Sequence, residues 1–141
     1  MSLMTAIEVG ASGLTAQRTR LEVHLSNLVN AETTQPAGVE PYRRKDVLFT
    51  AASPQMSFGA AFEDAVQGVE ISGVVTDNSE PKKVHDPNHK HADKDGNVFY
   101  PNVTPMKEMM NVLSAARSYE ANLQSVNMAK EMMQKTLEIL R

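Results

Sequence analysis

In "MMNVLSAARSYEANLQSVNMAKEMMQKTLEIL", residues 109–140, apolar side chains fall at alternating steps of three and four. The series is Met109, Val112, Ala116, Tyr119, Leu123, Val126, Lys130, Met133, Leu137 and Leu140. Nine of the ten are apolar, counting Tyr119, and only Lys130 breaks the run. This spacing keeps one stripe of a helix facing one partner, as in the seam of a coiled coil. Working outward, Thr104-Pro105 supplies a start: a hydroxyl N-cap, then proline at the first helical position, where its missing N–H costs nothing.

The other end of the chain repeats the arithmetic. From Met4 the series runs Ile7, Ala11, Leu14, Arg18, Leu21, Leu25 and Leu28, and only Arg18 is polar. This helix is expected to stop near Asn30, before the turn-rich "NAETTQPAGVEP". Gly10 and Gly13 each weaken it by about 1 kcal/mol relative to alanine. Two such seams favour helix-on-helix packing, and the expected fold is α+β: two long terminal helices pairing as an antiparallel coiled coil around a small β-rich insert. The helical part comprises residues 1–32 with 104–141, and the insert 33–103.

Size adds to this. A helix over 105–140 would be roughly 54 Å long at about 1.5 Å per residue. A compact chain of 141 residues has a radius of gyration of only about 14 Å. The molecule should therefore be elongated. Opposite the two seams lie second apolar stripes, Val9, Ala16 and Val23 on one helix and Ala121, Met128, Met132 and Ile139 on the other. A helix apolar on two sides must be covered on two sides, and neighbouring subunits are the expected cover.

In the middle, "PYRRKDVLFTA" (41–51), "GVEISGVVT" (68–76) and "NVFYPNV" (97–103) read as strands, being β-branched or aromatic and bounded by turn formers. Residues near 51–68 read as a mobile loop. The basic run Arg43-Arg44-Lys45 reads as a solvated strand, and a net charge of −3 gives no electrostatic footprint for nucleic acid. With no cysteine, disulfides, Cys-ligated zinc and thiol catalysis are excluded. No apolar run approaches the roughly 18 residues of a membrane span. "MSLMTAIE" (1–8) lacks the basic start and apolar stretch of a cleaved signal peptide.

Three of the four histidines fall in "HDPNHKHADKDG" (85–96). Aligned as a calcium loop on Gly96, the stretch puts Asn102 where a bidentate Glu is required, so that match fails. Zinc or nickel capture by His85, His89 and His91 is the competing reading, as a metal-binding protein or metal-dependent enzyme, but no His-Glu-x-x-His helix or distant catalytic partner accompanies them. Asp95-Gly96 ahead of "NVFY" reads more simply as a polar turn entering a strand. No phosphate loop or nucleophile elbow is present, so the reading is of a non-enzymatic protein without catalytic residues or cofactors.

Three segments carry a resemblance. "SGLTAQRTRLEVHLSNLVNAETT" (12–34) is similar to the N-terminal motif of bacterial flagellar rod and hook proteins, with its Ser-Gly-Leu-x-Ala-Gln start and closing Asn-x-x-Asn. "ADKDGNVFYPNV" (92–103) resembles their central segment, and "AARSYEANLQSVNMAKEMMQKTLEILR" (115–141) their C-terminal helix. The chain is identified as a member of the flagellar basal-body rod family, fitting the proximal-rod members best, with a sibling rod or hook subunit as the alternative. His24-Leu25 and "PMKEMMNV" (105–112) depart from the usual wording.

The resemblance implies a structural role without catalysis: export by the flagellar type III apparatus without a cleaved signal peptide, and assembly with copies of itself and other rod subunits in the periplasmic rod. Carried over, Leu14, Gln17, Leu21, Asn27 and Asn30 match the N-terminal motif. Arg117, Tyr119, Asn122, Lys130, Met133, Gln134 and Leu137 match the C-terminal one. Leu14, Leu21, Leu123, Met133 and Leu137 are expected in the apolar seam. Asn27, Asn30, Asn122 and Gln134 are expected to fix register as two-way hydrogen-bonding amides. Arg18 and Lys130 are expected to set register or to meet acidic neighbours such as Glu22, Glu32 or Glu131 on adjacent helices.

Overall fold

A computed structural model of the chain describes residues 3–52 and 67–139. The order is α1 (Leu3–Val29), β1 (Lys45–Ala51), β2 (Val69–Thr76), β3 (Lys82–His85), β4 (Asn97–Tyr100) and α2 (Pro105–Ile139). Among the described residues this is an α+β arrangement of two helices and two small antiparallel sheets. The expected loop near 51–68 lies mostly outside the described residues, as does Leu140.

α2 begins where the Thr104-Pro105 signal places it, with the Thr104 carbonyl accepting a bond from the Glu108 N–H at 3.1 Å. From Met106 to Ile139 it contains neither glycine nor proline, and its 35 residues span about 52 Å. α1 ends with Asn30 N–H on Ser26 O and a tighter bond from Ala31 N–H to Leu28 O, which satisfy two of the helix's last carbonyls.

The two helices lie against each other. A Cβ on Gly10 would collide with the Val126 side chain, and one on Gly13 would lie 2.8 Å from Asn122 Nδ2. At the other end His24 and Asn27 reach Glu108. Positions rising along α1 therefore meet positions falling along α2. The glycines that weaken α1 as an isolated helix are places where α2 side chains occupy the space a Cβ would need.

β1 and β2 pair from Lys45↔Thr76 to Ala51↔Val69, with a register shift that leaves Ser72 as the extra residue. This hairpin packs on α1 and, among the described residues, not on α2. Ser12 Oγ stitches it there, donating to Val9 O and accepting from Val69 N–H at 3.0 Å. Ala16 is buried and Val23 half-buried on this side. That part of the second α1 stripe is thus covered from within the chain, not by a neighbour as expected.

β3 and β4 form a separate hairpin, Lys82↔Tyr100 to His85↔Asn97. β3 was not expected: it takes "KKVH", of which only Val84 is apolar, out of a stretch that reads as turn. Its partner strand buries Val98 completely.

The core is small. Apart from Pro101, the buried aliphatic side chains among the described residues are Ala16, Ala31, Ala115, Ala129, Val47 and Val98. Three of the four largest fully buried side chains are polar: His24, Glu108 and Asn27.

Candidate functional site

Those three polar groups form one junction. The His24 Nδ1–H donates to Glu108 Oε2 at 2.7 Å, and Asn27 Nδ2 donates to the same oxygen at 3.1 Å. The other oxygen, Oε1, accepts from Arg44 Nε at 2.8 Å. Asn27 also grips the backbone entering β1, donating to Lys45 O at 2.7 Å and accepting from Lys45 N–H at 2.9 Å. The Tyr42 hydroxyl donates to Asn27 Oδ1. Asn102, just ahead of α2, accepts from Arg44 N–H at 2.8 Å and donates to Asp77 O beyond β2.

Burial opposes ionisation of Glu108, but bonds from Arg44, Asn27 and His24 outweigh it and hold its carboxyl below the ordinary carboxylate range. Asp46 follows the same pattern: desolvation works against its charge, and Arg44 with the Val47 N–H overcomes it. Arg44 is held more firmly protonated by its bond to Glu108, against partial burial. Its side chain is mostly buried in this ion pair, which corrects the reading of 43–45 as a solvated strand at Arg44, while Lys45 is exposed at the start of β1. Both Glu108 oxygens are satisfied, although His24 Nε2 is buried without a partner among the described residues; a buried ion pair of this kind specifies one arrangement of chain segments more than it adds stability.

The seam of α2 has a different phase from the apolar count. Facing inward are Glu108, Val112, Ala115, Tyr119, Asn122, Val126, Ala129 and Met133, again at steps of four and three. Val112, Tyr119, Val126 and Met133 are shared with the expected seam. Met109, Leu123, Lys130 and Leu137 instead point out, Leu123 being 42% and Leu137 63% exposed. Of the inward residues, Glu108 meets His24 and Asn27, Asn122 lies against Gly13, and Val126 lies against Gly10. Lys130 therefore does not interrupt the intramolecular seam.

On α1, Leu14 and Leu21 are half-buried, while Met4, Ala11, Arg18 and Leu25 of the expected seam are exposed. Arg18 pairs with Glu22 one turn on, at 3.0 Å. Gln17 Oε1 is buried without a partner among the described residues. Asn30 bonds locally to Ser26 O. Asn122 is half-buried beside Gly13, whereas Arg117 and Gln134 are exposed. The expected residues thus divide between the helix pair and the outer surface of α2. Glu108, His24 and Arg44, which meet in the junction, were not singled out as site residues. Their only signal was that His24 and "PMKEMMNV" both depart from the usual wording, and the two departures meet each other.

The histidine stretch is a hydrogen-bonded turn. Asp93 Oδ1 accepts from Asp95 N–H at 2.9 Å and Asn97 N–H at 2.8 Å, and Gly96 takes φ +74°. His91 Nδ1 shares a bond with Thr34 Oγ1 at 2.8 Å, His89 Nδ1 accepts from His91 N–H, and His85 Nδ1 lies 3.4 Å from Asn97 Oδ1. Among the described residues no group of three or more His, Asp or Glu side chains is placed to hold a metal ion. A groove of about 470 Å³ between the end of α1, this hairpin and the start of α2 holds one acid, Glu32, and one base, Lys82, among apolar neighbours.

Comparison with known proteins follows the same lines. Residues 94–139 match the family described as flagellar basal body rod FlgEFG protein C-terminal. Over its full length the chain is similar to proteins named flagellar basal-body rod protein FlgC. It is 40% identical to that of Bacillus subtilis, covering 99% of both chains. It is 38% identical to that of Salmonella typhimurium over 99% of this chain and 98% of the relative. It is 34% identical to that of Borreliella burgdorferi over 100% and 99%. On this likeness the chain belongs to the FlgC family of flagellar basal-body rod proteins.

Proposed function

We propose that this chain is a structural subunit of the proximal rod of the flagellar basal body. It assembles with copies of itself and with other rod subunits through the faces of α1 and α2 left uncovered in the single chain. Here the helices act as an antiparallel coiled coil carrying the 33–103 insert, and the assembly transmits torque across the periplasm. The chain reaches that site through the flagellar type III export apparatus and performs no catalysis.

One observation carries the reading. Nine large apolar side chains on α2 are exposed, among them Met110, Leu113, Leu123, Met128, Leu137 and Ile139. Among the described residues, the buried aliphatic side chains other than Pro101 are alanines and valines. A lone protein rarely shows so much apolar surface on one element, and such surface marks an interaction face. In the assembled state, truncating Leu123 or Leu137 to alanine should cost about 2–5 kcal/mol if the site is fully packed there. Lys130 and Gln134, on the same outer surface, are positioned to choose among neighbours.

The test is photocrosslinking in flagellated cells, with a photoreactive residue in place of Met128 or Leu137. Crosslinks to a second copy or to another rod subunit support the reading. Crosslinks absent at both positions, in cells that make normal flagella with the variant, contradict it.

A further inference from the structure

We propose that the side chains gripping residues 44–45 form a latch, so that pairing of α1 with α2 and docking of the β1–β2 hairpin are one cooperative event. The hairpin's root is held from three directions. Asn27 of α1 closes on both backbone groups of Lys45, at 2.7 and 2.9 Å. Glu108 of α2 holds the Arg44 side chain at 2.8 Å. Asn102 takes the Arg44 N–H and donates to Asp77 O, so the same linker holds the strand leaving the hairpin.

What makes this a latch is the sharing of partners. Drawing α2 away from α1 strips Arg44, Asn27 and His24 of one common acceptor at a single stroke. Lifting the hairpin strips Asn27 of two backbone partners and Glu108 of its cation. In either motion a buried amide or carboxylate loses its bonds, and unmade bonds in the interior are far more costly than made ones are favourable. The hairpin does not otherwise pack on α2 among the described residues. The Arg44–Glu108 pair, with Asn27 bridging Lys45 and Glu108, is thus the route by which α2 senses it. This holds for the single chain and does not depend on what the chain assembles with.

Hydrogen exchange by mass spectrometry on the full-length protein, across a series of low urea concentrations, tests it. In the wild type, slow amides in residues 20–29, 108–116 and 69–76 should merge into one opening with a common urea dependence. Asn27→Ala should accelerate all three by the same factor, roughly tenfold or more. Arg44→Lys, which keeps the cation but loses the fork that reaches Glu108 and Asp46 together, should accelerate them in parallel to a smaller extent. Separate wild-type isotherms for helices and hairpin, or acceleration confined to the hairpin in either variant, would overturn the proposal. The wild-type isotherms decide it even if a variant does not fold.

Discussion

His24 Nδ1 and Glu108 Oε2 lie 2.7 Å apart, 84 positions apart in sequence, with the His24 side chain 2% and the Glu108 side chain 0% exposed. They join the last turns of one helix to the first turn of the other. In a chain whose buried aliphatic groups are so small, the position of the helix pair rests on this polar closure as much as on apolar contact.

Removing the carboxylate should therefore be severe. Glu108→Ala leaves Arg44 Nε, His24 Nδ1 and one N–H of the Asn27 amide without their acceptor, and a loss of about 3–5 kcal/mol is expected. Glu108→Gln keeps the shape and some acceptance, and about 1–3 kcal/mol is expected. Urea unfolding of the full chain measures both, and equal stability of Glu108→Ala and wild type would show the junction to be incidental.

The pH dependence has a definite sign. Glu108 and Asp46 both have folded carboxyl pKa values below their ordinary ones. Such groups stabilise the fold fully above the unfolded pKa, about 4, and lose that contribution as pH falls through the folded value. The urea midpoint should decline on acidification below about pH 5, and less steeply in Glu108→Gln. A midpoint that rises on acidification would contradict the assignment.

Gly10→Ala and Gly13→Ala separate helix propensity from packing. Propensity alone predicts a gain of about 1 kcal/mol for each. The Gly10 methyl would strike Val126, whose branched side chain has little freedom in a helix, so a net loss of about 1–3 kcal/mol is expected. The Gly13 methyl meets only the amide end of Asn122, which can turn aside, so its loss should be smaller. Thermal melts rank the two, and Gly10→Ala more stable than wild type would mean that the helices lie further apart than described.

Gly96→Ala tests the histidine turn. Alanine at φ +74° costs about 1–2 kcal/mol, and its Cβ would also sit 3.0 Å from His85 Cε1 and 3.2 Å from Pro87 Cγ. The melting temperature should fall accordingly. Equimolar zinc should leave the wild-type midpoint in place. A stoichiometric rise that His89→Ala abolishes would revive the metal reading.

Helix boundaries were legible because local chemistry sets them: Thr104-Pro105 starts α2, and the turn after Asn30 ends α1. The phase of the α2 seam was not, since counting apolar residues passes over Glu108 and Asn122, which face inward against His24 and Gly13. Arg44 looked like one cation in a basic run, and nothing local distinguishes it from Arg43. Its burial depends on a carboxylate 64 residues away, and such pairings are invisible to any window. β3 escaped because a four-residue strand with one apolar side chain offers no alternation to detect.

The most direct measurement is to extract intact basal bodies from flagellated cells with detergent, strip the filament and hook, and probe the remaining rods for this protein. A rod subunit should be retained in every preparation at a fixed ratio to the other rod proteins. Its absence, from cells that make both the protein and flagella, would contradict the account.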